Sequence, residues 1–288
     1  MSAPQTTPAT PAGDPPAAAP PVITTVILIR HGRSTANTAG ILAGRSAGVN
    51  LDDTGTAQAA AVAGRLAGVR VDALVSSPMD RCRQTLAPLA EALGLPVQID
   101  DRLAEVDYGS WTGRALKDLG DEPLWRTVQQ HPSAAVFPDG EGLAQVSART
   151  VAAVRDWALG DPDRPAADDS PVVPGPDAPL MSGAAARAAA VPGQGRCLVV
   201  CSHGDVIKAI LADALGMHLD AFQRIVVNPA SVSVIRYTPL RPFVERVNDT
   251  GDLGFLRPPP PEPVAAGGQD SEPAVADPSD AVPGGTTR

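Results

Sequence analysis

The sequence predicts an α/β protein, a three-layer α/β/α sandwich with a mainly parallel central sheet, and three observations carry that expectation. Residues 24–29 and 197–201 are continuous runs of strand-forming side chains, largely apolar, as expected of strands buried on both faces. Segments of helical periodicity separate these and other strand-like runs, and alternation of strand and helix favours parallel pairing with helices on both faces. Both runs also end alike, in His31-Gly32 after one and His203-Gly204 after the other. Side chains just beyond the carboxyl ends of neighbouring parallel strands converge on one crevice. Two histidines distant in sequence are therefore expected to face one ligand.

Taken in order, residues 24–29 form the first strand, ending at Arg30-His31-Gly32. Residues 34–50 read as a polar, glycine-containing loop. A helix built on alanines with Gln58, Val62 and Leu66 follows, closed by Gly68. Residues 73–75 give the next strand. Ser77-Pro78-Met79-Asp80 reads as a helix start, with serine as N-cap, proline at the first helical position and an acid at the positive end of the dipole. Arg81 then falls in the first turn, on the rim that carries His31. Leu86, Leu89, Ala90 and Leu93 make the buried face of this helix and Gly94 closes it.

Residues 97–99 are a short strand, and 103–111 a loop that mixes acids with aromatic residues. Residues 125–130 and 143–159 read as helices, and the region from Trp125 to Phe137 is expected to cover the site. Asp205 is expected to cap a helix that turns Val206, Ile207, Ile210, Leu211 and Leu215 inward and ends at Gly216. Residues 231–237 and 243–247 are two further strands.

The chain of 288 residues is longer than such a domain needs. Residues 1–21 and 257–288 hold too few large apolar side chains to offset ordering entropy, and are expected to be disordered tails. The same Pro/Ala/Gly bias, strongest between Asp168 and Gly195, marks a flexible insertion at about 161–195, leaving one domain over residues 22–256. No basic-then-apolar leader and no membrane-length apolar run is seen, which points to a cytoplasmic protein without a membrane partner. Cys82, Cys197 and Cys201 are odd in number and are expected to be buried thiols, neither disulfides nor metal ligands.

A net charge of -9 argues against nucleic acid as a partner. Arg30, Arg33, Arg81 and Arg83 nevertheless fall beside the histidines, and a local cationic pocket in an acidic protein selects small anions. Phosphate is the anion that best fits. Cleavage of a phosphomonoester rests on positioning and charge neutralisation, and guanidinium groups offer paired donors to its oxygens. Arg30 and Arg81 would hold the phosphoryl group, with His203, if protonated, as a further cationic donor.

A neutral His31 can attack phosphorus through one ring nitrogen if the other donates its proton to a fixed acceptor. The leaving alkoxide then needs a proton from a carboxylic acid with a raised pKa, for which Glu105 is the candidate and Asp107 the spare. Each of these residues alone has an ordinary structural reading; four of them on one rim, each at an element boundary, carry the argument. His131 and His218 lack that placement and are expected at the surface. No metal ligand set or cofactor motif accompanies the constellation.

The segments Arg30-His31-Gly32-Arg33-Ser34-Thr35-Ala36-Asn37 and Ser76-Ser77-Pro78-Met79-Asp80-Arg81-Cys82-Arg83-Gln84-Thr85, followed by Glu105, Gly140-Glu141 and Ser202-His203-Gly204, resemble the histidine phosphatase superfamily in its phosphoglycerate mutase-like branch. The resemblance spans Val22 to about Leu256. It implies His31 as the phosphorylated nucleophile, Arg30, Arg81 and His203 as the phosphate pocket, and Glu105 as the proton donor. It also implies that Asn37 and Gly204 border the phosphate and that Tyr108 borders the rest of the substrate.

Two positions depart from the family's common pattern: Arg33 stands where Glu or Gln is usual, and Gly142 where Ser is usual. The implied activity is metal-independent hydrolysis of a small phosphorylated metabolite. A short segment between Glu105 and Glu141 leaves a phosphohistidine more open to water than in true mutases, so hydrolysis is favoured over phosphoglycerate-type mutase transfer. A non-catalytic phosphate-binding regulator is the remaining alternative.

Overall fold

The computed structural model describes residues 23–160 and 195–251. The two expected tails and all but the last residue of the expected insertion lie outside the described residues. Six strands form one sheet: β1 (Thr24–Arg30), β2 (Ala73–Ser76), β3 (Val97–Ile99), β4 (Arg196–Ser202), β5 (Val232–Tyr237) and β6 (Pro242–Asp249). Their order across the sheet is β3-β2-β4-β1-β5-β6. β1 pairs parallel with β4, β4 with β2, and β2 with β3, whereas β5 and β6 run antiparallel at one side. Pro242 opens β6, an outermost strand, where a missing N–H is tolerated.

Seven helices accompany the sheet among the described residues: α1 (Thr35–Ala39), α2 (Asp53–Arg65), α3 (Asp80–Leu93), α4 (Leu116–Leu119), α5 (Pro123–Gln130), α6 (Leu143–Leu159) and α7 (Gly204–Ala214). Strand side chains alternate between faces, which explains why β1 is apolar throughout. Val26 and Leu28 join Leu198, Val200 and the inner residues of α6 and α7 in one core. Ile27 and Ile29 join Val199, Cys201 and the inner residues of α2 and α3 in the other. Cys197 and Cys201 indeed share a face. Burying each such side chain contributes about 1.5–3 kcal/mol, so the two central strands anchor both layers. No helix among the described residues is long and apolar enough to cross a membrane.

Several local expectations are corrected. The region read as loop from residue 34 contains α1, whose N-cap Ser34 and Asn37 form a reciprocal capping box. The N-cap of α3 is Met79, and its side chain caps nothing. Ser77 stands two residues before that cap, where its hydroxyl accepts the Met79 amide at 3.4 Å and lies 2.7 Å from His203 Nε2. The N-cap of α7 is His203, so Asp205 lies inside the first turn, and Leu215, expected inward, is 48% exposed. The region from Trp125 to Phe137 is fastened to the core: the Trp111 and Trp125 rings lie 6.3 Å apart, and Phe137 meets Trp111 edge-on.

Candidate active site

The site grows from the register of β1 and β4. Arg30 pairs with Ser202 across the two parallel strands, so the next residues on each, His31 and His203, leave the sheet side by side with ring centroids 5.2 Å apart. The His31 amide N–H still reaches the Ser202 carbonyl at 2.9 Å. Gly32 is needed where it is because a Cβ there would lie 2.7 Å from the Gly55 carbonyl in the first turn of α2.

His31 is 4% exposed. Its Nδ1 lies 2.8 Å from the Gly32 carbonyl, which can only accept, so Nδ1 carries the proton and Nε2 keeps its lone pair. Burial, reinforced by Arg81 and Arg30, lowers its pKa to about 3. The ring is thus neutral and oriented at physiological pH, as a nucleophile must be.

His203 is fully buried. Its Nε2 lies 2.7 Å from Ser77 Oγ, and its Nδ1 lies 3.1 Å from Arg81 Nη2. Guanidinium only donates, so Nδ1 accepts and the proton resides on Nε2. Burial, together with Arg81, lowers its pKa well below the usual value. The conditional expectation of a cationic His203 is thereby corrected: in the free protein it is neutral.

Arg81 enters from the first turn of α3 and is 2% exposed. Besides His203 it donates to the Gly44 carbonyl at 2.9 Å. Arg30 donates to the Val227 carbonyl, and among the described residues its buried Nε has no partner. The guanidinium lies about 3.6 Å from where a side chain on Gly204 would begin. Burial lowers its pKa, while Glu105 and Asp205 oppose that shift. Two mostly buried guanidiniums beside two histidines make the cleft favourable to an anion.

Glu105 completes the cluster. Its Oε2 is 3.6 Å from His203 Nδ1, and its side chain is only 12% exposed. Oε1 accepts from the Val106 amide at 3.0 Å. Burial pushes its pKa up to about 7; Asp205 adds to the rise, and Arg81 and Arg30 resist it. The carboxyl therefore holds a proton available for transfer near neutral pH.

The other expected residues fare differently. Tyr108 is buried, and its hydroxyl donates to Asp205 Oδ2 at 3.0 Å. Gly204 opens α7 against Arg30. Asn37 is exposed, and its Oδ1 accepts from the Ser34 amide and hydroxyl, so its amide nitrogen is the polar group left to a ligand.

Arg33 and Arg83, expected to enlarge the cationic pocket, do not. Arg33 pairs with Asp52 at 2.6 Å and binds Thr54, while Arg83 sits exposed 3.8 Å from Asp80. Asp107 spends Oδ1 on the Gly109 amide. Ser77 and Asp205 were missed in their roles because both read as helix caps. His131 and His218 are exposed, as expected. Among the described residues no group of three or more His, Cys, Asp and Glu stands ready for a metal ion.

The family model described as histidine phosphatase superfamily (branch 1) matches residues 26–166 and 181–250. Phosphoserine phosphatase 1 of Hydrogenobacter thermophilus is 27% identical over 237 residues, covering 80% of this chain and 94% of that protein. A mycobacterial glucosyl-3-phosphoglycerate phosphatase bound to VO3 superposes with a TM-score of 0.62 at 22% identity, covering 78% of this chain and 98% of that one.

A phosphoserine phosphatase variant of Entamoeba histolytica in complex with phosphoserine also superposes with a TM-score of 0.62, at 20% identity over 80% of this chain and 99% of that one. Both structural likenesses are likenesses of fold. With the family match running through both histidine-bearing strands and everything described between them, this chain belongs to branch 1 of the histidine phosphatase superfamily.

Proposed function

We propose that the protein is a phosphomonoesterase that hydrolyses a small phosphorylated metabolite through a phosphohistidine at residue 31. The observation that carries this is the His31 ring, held neutral, with Nδ1 committed to the Gly32 carbonyl and Nε2 left to react between two guanidiniums. In the first step Nε2 attacks phosphorus while Arg30 and Arg81 neutralise the phosphoryl oxygens, the unpartnered Arg30 Nε among their donors. The bond from phosphorus to the ester oxygen breaks, and that oxygen takes the proton of Glu105.

In the second step the ionised Glu105 takes a proton from water as the water attacks the phosphohistidine. Phosphate leaves, and Nε2 and the acid return to their starting states. His203 can donate to a phosphoryl oxygen through Nδ1, the nitrogen Arg81 holds in the free protein, once phosphate binding brings a proton onto that nitrogen.

The named relative acts on phosphoserine, a small phosphate ester, which supports a metabolite of that size as substrate. We place the reaction in the cytoplasm, in one domain spanning residues 22–256, where the three cysteines remain thiols. The test is a screen of phosphoesters in the presence of chelator, with enzyme quenched in alkaline detergent and assayed for phosphoramidate. Phosphate release together with an acid-labile label on His31 is expected. With 3-phosphoglycerate and a bisphosphate primer, rapid 2-phosphoglycerate formation without phosphate release would overturn hydrolysis in favour of transfer.

A further inference from the structure

The Gly140-Glu141 pair, prominent in the sequence, touches no reacting atom in the scheme above. Its surroundings give it a task. Gly140 crosses the backbone of residues 107–109 so closely that a Cβ on it would strike the Asp107 carbonyl, and a Cβ on Gly109, whose φ is +51°, would strike the Pro138 carbonyl. At that crossing the Glu141 amide donates to the Asp107 carbonyl at 2.8 Å, and the Asp107 amide donates to Glu141 Oε2 at 3.0 Å. The chain carrying Glu105 is thus seamed to the chain carrying Glu141.

Arg149, on α6, closes the seam from the far side. Its Nε and Nη2 form a fork on the two oxygens of Glu141, each at 2.9 Å. Nη1 donates to the carbonyls of Arg102 at 2.6 Å and Ala104 at 2.9 Å, and Nη2 also reaches the Glu105 carbonyl at 3.1 Å. Arg45 adds a second hold, with Nε on the same Glu105 carbonyl at 2.8 Å and Nη2 on Glu141 at 2.9 Å. The pair is set into the protein, with Arg149 18% and Glu141 22% exposed. An ordinary surface ion pair would not spend one guanidinium on three carbonyls spread over four consecutive residues.

From this convergence we propose that Arg149 and Glu141 are positioning residues for the acid, a clamp that fixes the main chain of residues 102–107 so that the Glu105 carboxyl meets the leaving oxygen. The inference rests on the hydrolase reading given above. Proton transfer requires heavy atoms within hydrogen-bond reach, and displacement of a catalytic group by about 1 Å costs on the order of 10²-fold. Lysine could keep the charge but could not form the fork and reach the carbonyls together.

The experiment compares kcat/KM for phenyl phosphate and 4-nitrophenyl phosphate, two esters of similar shape whose leaving groups differ in their need for a proton. Wild type, Arg149→Lys, Glu141→Gln and, as reference, Glu105→Gln are measured, with thermal unfolding as a check on the fold. A misplaced acid penalises the more basic leaving group, so the phenyl to nitrophenyl ratio should fall about tenfold in Arg149→Lys, in the direction of Glu105→Gln. A smaller fall in the same direction is expected for Glu141→Gln.

If Arg149→Lys lowers both substrates equally and leaves the ratio at its wild-type value, the clamp is structural only and the inference is overturned. If Glu105→Gln itself leaves the ratio unchanged, or wild type cleaves neither ester, the hydrolase reading with Glu105 as its acid fails first. The two failures are therefore told apart.

Discussion

His31 and His203 stand at the same place on adjacent parallel strands, each followed by glycine, yet the protein has made them different. His31 is anchored through Nδ1 by a main-chain carbonyl, so Nε2 faces the ligand. His203 is anchored through Nε2 by the Ser77 hydroxyl, so Nδ1 faces Arg81 and Glu105. The same His-Gly pair therefore yields two opposite tautomers, and the anchor rather than the motif decides which ring attacks and which one holds. A carbonyl anchor can only accept and rigidly enforces one tautomer. A hydroxyl can donate or accept, and leaves His203 free to change protonation when phosphate arrives.

The sharpest way to break this comparison is to remove each ring in turn. His31→Ala should lose turnover on the order of 10⁴-fold or more and abolish the acid-labile label. His203→Ala should lose about 10²–10³-fold while the label still forms on residue 31. Equal losses, or a label that survives in His31→Ala, would mean that the roles have been read the wrong way round.

The two rings should behave alike in one respect, since both are held neutral. Their folded pKa values lie below the usual value of about 6.5, so the unfolded chain binds more protons in acid. The associated stability is present above pH 6.5 and is lost as the pH falls towards about 3. For His31 alone the loss amounts to about 2 kcal/mol at pH 5. Urea unfolding at pH 7.5 and pH 5 should show that loss in wild type and a smaller one in His31→Gln.

Glu105 has the opposite sign. Its folded pKa is raised to about 7, so the fold gives up stability as the pH rises from its ordinary value of 4.5 through 7, by up to about 3 kcal/mol. Activity should fall over the upper part of that range as the acid ionises. Glu105→Gln should remove the decline in stability, as judged by thermal unfolding at pH 5 and pH 8.

Smaller effects probe the anchors. Ser77→Ala removes the hydroxyl from His203 Nε2 and should cost about tenfold in kcat/KM while leaving the His31 label intact. Ala230 holds φ at 57° in the segment whose amide reaches the carbonyls of Arg30 and His31. Ala230→Gly should raise stability by about 0.5–1 kcal/mol, read from the urea midpoint, with activity unchanged within twofold.

Much of this was legible in the residues. Unbroken apolar runs marked β1 and β4, and residues 143–159 coincide with α6 because its apolar spacing is strictly helical. Arg30, His31, Arg81, Glu105 and His203 could be placed on one rim because each ends or begins an element. What could not be read were choices made across space. Ser77 looks like an N-cap by local chemistry, but a buried imidazole offers it a better partner. Asp205 has the right type to cap α7, but the helix begins one residue earlier, at Gly204, and Tyr108 and Lys208 engage its carboxylate. Arg33 lies two residues from His31, and only the fold shows Asp52 drawing it away. Arg149 carried no signal, since besides Glu141 its partners are main-chain carbonyls from a segment more than forty residues distant.

The chain leaves the described fold after Gly160 and returns at Gly195, where the Arg196 amide reaches the Ile23 carbonyl and Thr24 Oγ1 reaches the Ala158 carbonyl. Both points sit where β1 and β4 begin, whereas the histidines stand where those strands finish, about 20 Å away at the rise of a strand. A fluorescent reporter or an affinity handle joined at Gly160 or Gly195 would therefore be attached at the end of the sheet opposite the two histidines.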